Sequence, residues 1–256
     1  MLGNLLLLSG NDIPFPEAQV TIHQPTLKEI AYIGEEAFFV GCGFLNFSKN
    51  LLNEQDKVRL SNYNDFDIFM SIVIKPTKDV KQSVENAFLV LDLIFPLYNI
   101  SVRDNVIVLK KNEEEFLINK NNFNIFKEII SEMFNLKLGE TSSDQYNPSG
   151  DMAKRIAEKF KKRHETLNNL TRSDSKKIAI LSRYASILAV GLQKDLNDIM
   201  QYTIYQLYDE FQRFQLKMQW DAYIQARMAG AKDLDPVDNW MIDLQDQGKN
   251  KPKNKK

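Results

Sequence analysis

Residues 195–244, DLNDIMQYTIYQLYDEFQRFQLKMQWDAYIQARMAGAKDLDPVDNWMIDL, decide how this chain is read. Met200, Ile204, Leu207, Phe211, Phe214 and Met218 follow one another at alternating steps of four and three. That spacing gathers six large apolar side chains into one stripe along a helix. Tyr205, Tyr208, Trp220, Tyr223 and Ile224 lie off the stripe and broaden the apolar face. A helix this apolar around its circumference is expected to be buried on more than one side, and another chain could supply part of that burial. Ala229-Gly230 breaks the pattern, and a short segment carrying Asp235 and Trp240 follows. None of these residues carries catalytic chemistry, so the stretch points to binding or assembly.

Size and composition leave the class open but remove several options. The chain has 256 residues, enough for one large or two ordinary domains. Hydrophobic residues make up 43% and charged residues 26%, values of an ordinary globular protein. A net charge of -1 supplies no global attraction for nucleic acid. Residues 246–256 end in the basic run KNKPKNKK and read as a disordered, solvated tail. Cys42 is the only cysteine, which excludes an intramolecular disulfide and fits a reducing compartment. The Leu5 to Leu8 run lacks the basic flank and length of a secretion signal. No stretch reaches the ~20 apolar residues of a membrane span, so no membrane association is expected. Cytoplasm is the default location.

Taken in order, the sequence predicts an α+β fold: a small N-terminal α+β domain with a β-hairpin, then an all-α helical domain. Residues 1–14 read as a flexible leader ending at Pro14-Phe15-Pro16. Ala18 to Ile22 alternates as a short strand, and Pro25 stops it. Thr26 with Glu29 forms a capping-box pattern at the head of a helix from Leu27 to about Phe39. Gly41-Cys42-Gly43 is expected to break that pattern before a short helix around Phe47 to Leu52. The run DFDIFMSIVI from Asp65 reads as β-rich and closed by Pro76, although a short buried helix would give a similar pattern. Lys78 to Tyr98 has helical spacing, and Pro96 is expected to end that helix or kink it. NVIVLKKNEEEFLI predicts a hairpin turning around residues 110–113, and Asn121-Asn122 are placed to cap a helix from Phe123 to about Phe134. Residues 15–136 thus form the α+β domain, and the polar stretch 137–150 a linker. Residues 151–245 form the helical domain. It opens with a basic amphipathic helix after Asp151 and continues with a stripe of Ile178, Leu181, Ala185, Leu188, Leu192 and Leu196. Asp195 is expected to start or bend into the central helix.

Candidate chemistry is sparse. His23 and His164 stand in different predicted domains, and no zinc, EF-hand or phosphate-loop spacing exists, so no metal or cofactor is expected. Gly41-Cys42-Gly43 could present a thiol on a turn, with His23 as the only base able to fold back to it, but a small buried cysteine is the better reading. Asp65 and Asp67 offer oxygen ligands, yet strand alternation would put both on one solvated face. The basic helix over residues 152–163 could meet phosphates through Lys154, Arg155, Lys159, Lys161, Lys162 and Arg163. Its apolar face, Met152, Ile156, Phe160 and Leu167, and the lack of interleaved aromatics favour an ordinary solvated helix, so nucleic acid is an unlikely partner.

The stretch from Thr203 to Leu244 resembles the C-terminal half of tail assembly chaperones of tailed phages. The shared features are a helix carrying Tyr205, Leu207, Tyr208, Asp209, Phe211, Arg213 and Phe214, then residues 226–232, then an acidic segment from Asp235 to Met241. The stretches VTIHQPTLKEIAYIGEEAFF and NDFDIFMSIV are similar to the opening of the same proteins. The resemblance implies a non-enzymatic assembly factor in the host cell cytoplasm that binds the tape measure protein and recruits tail tube protein, with a homo-oligomer as one form it could take. It further implies a possible longer frameshifted form. On this reading Ile204, Leu207, Tyr208, Phe211, Phe214, Met218, Trp220, Tyr223 and Trp240 are the candidate partner-binding residues, because aromatic and methionine side chains adapt to varied helical partners. The competing expectation is a structural virion protein of the neck, connector or baseplate.

Overall fold

In the computed structural model, the described residues are 2–49, 58–136 and 180–231, together with 234, 237 and 239–241. They form an α+β fold whose C-terminal region is helical. The predicted linker 137–150, the basic helix after Asp151, the tail and residues 50–52 of the short helix expected around Phe47 to Leu52 lie outside the described residues.

The chain opens with α1 (Asn4–Ser9) and β1 (Ile13–Phe15), which pairs antiparallel with β2 (Val20–Ile22). The expectation of a loose leader is therefore corrected. Leu7, Ile13 and Phe15 are buried, and burying three large apolar side chains stabilises the segment by several kcal/mol, roughly 1.5–3 each. A turn of 3-10 helix over Pro16–Ala18 joins the two strands.

Thr26 caps α2 (Leu27–Ile33) as its pattern predicts. Its Oγ1 accepts from the Glu29 amide at 3.3 Å, and Glu29 Oε2 accepts from the Thr26 amide at 2.7 Å. The single helix expected to Phe39 is instead two, because Gly34 takes a φ of +88° that ends α2 and starts α3 (Glu35–Leu45). Gly41-Cys42-Gly43 does not break a helix but lies inside α3. The glycine at 41 serves close approach: a Cβ there would stand 2.4 Å from the Asn86 carbonyl of α5 (Lys78–Ile94).

The run DFDIFMSIVI is a helix, α4 (Asp65–Ile74), which corrects the strand reading. Asn64 caps it, its side chain accepting from the Asp67 amide at 2.8 Å, and consecutive residues Ile68, Phe69 and Met70 are buried. Burial on several sides removes the periodicity that separates helix from strand. α5 ends at Ile94, ahead of Pro96.

The predicted hairpin is present as β4 (Val106–Lys111) and β5 (Glu114–Ile118), and β3 (Asn99–Arg103) extends it to an antiparallel meander in the order β3-β4-β5. The β3–β4 turn is Asp104-Asn105, both at positive φ, as a two-residue hairpin turn requires. α6 (Phe123–Met133) follows. Asn122 precedes it without a side-chain cap. Its side chain instead accepts from the Asn119 amide and donates to the Leu117 and Glu17 carbonyls, tying the sheet to the helix.

The C-terminal region contains α7 (Ile180–Leu192), α8 (Leu196–Ile199) and α9 (Ile204–Met228). Asp195 caps the short α8 rather than leading into the long helix, and Met200 of the predicted stripe lies between the two. Thr203 and Gln206 form a second capping box at the head of α9. These helices are docked on the α+β unit through backbone. Thr26 and Thr203 pair as an antiparallel bridge, and the amides of Leu27 and Lys28 donate to the carbonyls of Tyr202 and Met200 at 2.8 and 2.9 Å. The Leu181 amide donates to Glu35 Oε1 at 2.8 Å. One contiguous core therefore runs from Leu7 and Phe15 through Phe38, Phe95 and Phe126 to Leu188, Leu207 and Phe211.

Alanine normally stabilises a helix over glycine by up to about 1 kcal/mol. Gly41→Ala is expected to do the reverse, lowering the unfolding free energy by about 1–3 kcal/mol, because α5 backbone stands where the methyl group would go. Urea denaturation of the two proteins measures the sign.

Candidate functional site

The long helix α9 spans about 37 Å, and its two halves face different surroundings. In the first half Ile204, Leu207 and Phe211 are buried in the core. Phe211 stacks on Tyr184 of α7 with ring centroids 3.8 Å apart and planes inclined by 10°. Tyr208 meets the same ring edge-on at 5.7 Å. Phe214 packs against the core and against Gly191 of α7, where a Cβ would collide with its ring. Five of the nine residues read as partner-binding thus hold α9 to the rest of this chain.

The other four lie further on. Met218 is 54% exposed, Trp220 and Tyr223 are half-buried and face each other with ring centroids 6.0 Å apart, and Trp240 lies beyond the helix at 37% exposure. The sequence reading missed Leu216, which is buried although it is off the main stripe and outside the contiguous core. Leu216, Trp220 and Tyr223 recur at steps of four and three, a second stripe that the spacing already contained. Ile224, Met228 and Met241 are exposed as well, Met228 to 84%.

Charge frames both halves. Lys194, after α7, donates to Glu210 Oε1 and to the Tyr202 hydroxyl, each at 2.6 Å, and these contacts raise its ammonium above the ordinary lysine value. Along α9 the pairs Arg213–Asp209 at 3.0 Å and Lys217–Asp221 at 2.6 Å follow helical spacing. On a helix surface such pairs are worth a few tenths of a kcal/mol, roughly 0.3–0.5; Asp209 is the more buried partner of the first. They order the side chains that flank the apolar face.

The residues weighed for chemistry are placed in other roles. Cys42 is wholly buried within α3, and burial pushes its thiol well above the usual range, so it carries no thiolate at neutral pH. His23 is engaged with carboxylates, its Nδ1 2.9 Å from Asp12 and its Nε2 3.3 Å from Glu29. Asp65 and Asp67 share the first turn of α4 rather than a strand face, which corrects the earlier expectation. Asp65 accepts from the Lys127 ammonium at 2.7 Å and from the Lys49 amide at 3.1 Å. Burial acts to raise its carboxyl, but these partners hold it below the ordinary value. Among the described residues no cluster of three metal-ligating side chains occurs. His164 and the basic residues from Lys154 to Arg163 lie outside the described residues. Among the described residues, no helix is long and apolar enough to cross a membrane.

Comparison with known proteins adds one finding. A family model described as the YomV second domain matches residues 172–245, a range that takes in α7, α8, α9 and Trp240. The match relates this region to a phage-derived domain family. No curated protein matches the chain, and neither does any solved structure.

Burial pushes the Tyr208 phenol up to about 12, with the charges of Tyr184 and Glu35 adding to the effect. A tyrosine ordinarily titrates near 10. The raised folded value means that the neutral phenol stabilises the fold fully below pH ~10, and that this contribution is lost as pH rises through ~12. Alkaline absorbance titration is expected to show one tyrosine ionising about two units late, and Tyr208→Phe to remove that step.

Proposed function

We propose that this chain is a non-enzymatic phage tail assembly chaperone that binds an amphipathic helical segment of a tape measure protein with the far half of α9. The observation that carries this reading is the division of apolar surface along one helix. The base of α9 buries its stripe within the chain, whereas Met218, Ile224 and Met228 remain exposed further along. Unbranched, polarizable methionine side chains repack around varied partners, which suits a helix-holding surface. The motif resemblance supports the same reading, and the domain match over residues 172–245 bears only on a phage relation. The protein would act in the host cell cytoplasm before the tail is complete, and would hand the tape measure protein to tail tube subunits.

The structure decides which variants test this. Phe211 and Phe214 lie in packed surroundings, so charged substitutions there would report folding rather than binding. Met218 and Met228 are exposed, and changes there leave stability within about 0.5 kcal/mol. Co-expression with the tape measure protein is expected to keep that protein soluble and to yield a complex on pull-down. Met218→Asp with Met228→Asp is expected to weaken the complex at least about tenfold. Absence of a complex, together with stoichiometric presence of this chain in purified virions, would replace the chaperone reading with that of a structural virion subunit.

A further inference from the structure

The side of α9 that carries Leu216 is turned away from the core. Leu216 stands two positions past Phe214, about 200° round the helix. It is nevertheless only 2% exposed, and it lies outside the contiguous core. Trp220 and Tyr223 continue the same face at steps of four and three and are half-buried. Something other than the core therefore covers this face. Arg213, Lys217 and Arg227 border it at helical spacing.

The chain beyond α9 is turned back toward the helix. The Gly230 amide donates to the Arg227 carbonyl at 3.1 Å and the Ala231 amide to the Ala226 carbonyl at 3.0 Å, with Gly230 at a φ of +93°. This paired closure ends a helix at a left-handed residue and brings the residue after it against the last turn. Ala226 and Ala231 are both half-buried, in keeping with that contact. Leu234 and Val237 follow three positions apart and are half-buried as well. Leu234 can stand no more than about 14 Å from Gly230, so the last turns of α9 are within its reach. The ten positions from Gly230 to Trp240 extend to about 33 Å, more than the roughly 21 Å of helix back to Leu216. Charge favours the same course. Residues 231–244 carry Asp233, Asp235, Asp238 and Asp243 against a single lysine, opposite in sign to the basic border of the face. The matched family domain extends to residue 245, and so takes in α9 and this segment together.

We infer that residues 231–244 dock along the Leu216 face of α9, with Leu234 and Val237 resting on Tyr223 and Trp220 and the aspartates facing Arg213, Lys217 and Arg227. The occupant of that face is this chain's own C-terminal segment. Met218 lies across the helix from it, two positions past Leu216, so the docking stands apart from the partner surface proposed above.

The chain has two tryptophans, and Trp240→Phe leaves Trp220 as the reporter. In that full-length background, Leu234→Asp with Val237→Asp is expected to uncover Trp220, raising its acrylamide quenching constant about twofold with far-UV circular dichroism unchanged. Asp233→Asn, Asp235→Asn and Asp238→Asn together keep every apolar side chain in place. They are expected to raise quenching about 1.5-fold at low ionic strength, and they decide the matter should the first variant fail to fold. Unchanged quenching would overturn the inference. So would quenching of the parent that rises on dilution, which would make a second copy the cover. A rise produced by Ile156→Asp with Phe160→Asp, and not by the Leu234 and Val237 substitutions, would also overturn it and assign the cover to residues 152–167.

Discussion

Thr26 and Thr203 face each other as a single antiparallel bridge, and each also caps the helix that follows it. The first four amides of a helix lack partners within it, so a buried helix start needs partners from elsewhere. Here the two starts supply one another. Thr26 and Thr203 satisfy amides of their own helices, while the Leu27 and Lys28 amides donate across the seam to Tyr202 and Met200. Thr203 is buried and Thr26 half-buried, so these hydrogen bonds sit where water competes poorly. The residues closing the capping boxes extend the seam outward. Glu29 reaches His23, which reaches Asp12, and Gln206 reaches Leu8. The α+β unit, the first dozen residues and the long helix are thereby registered at one place.

That registration governs what the long helix presents. With its head held at Thr203, the stripe of Ile204, Leu207 and Phe211 turns inward onto the core, and Tyr184 and Gly191 of α7 complete the packing from the other side. The helix then runs on past this support for several more turns. A stripe continuous in sequence is thus divided in space into a structural half and a half with exposed methionines. The assembly role proposed for the chain rests on this division. A core residue and an exposed binding residue can share one heptad-like pattern, because the pattern specifies a face of the helix and not what covers it.

Local signals were legible wherever the chemistry is local. The Thr26–Glu29 capping box, the stops at Pro76 and Pro96, the hairpin of β4 and β5, and the break at Ala229-Gly230 all depend on residues close in sequence, and all are present. Elements decided by distant contacts were misread. Asp65 to Ile74 lost its helical periodicity because burial on several sides left few polar positions. Gly41 looked like a breaker because its partner, the Asn86 carbonyl, lies 45 positions away in the chain, at the other side of a helix crossing. Residues 4–15 looked loose because Ile13 and Phe15 gain their stability from pairing and burial that no local pattern announces. Of the candidate residues, the helix that most of them share was legible but their division between core and surface was not.

By itself the sequence determined the helical character of the C-terminal region, the apolar stripe along it and the point where the long helix ends. These follow from side-chain spacing, caps and residue types, which act over a few positions. Tertiary structure alone decided that Ile204, Leu207 and Phe211 are core while Met218 and Met228 are surface. It also decided that the opening residues fold over the base of the long helix. Burial is a property of what lies on the far side of a side chain, and here that was supplied by Tyr184 and the Thr26 seam, both far away along the chain.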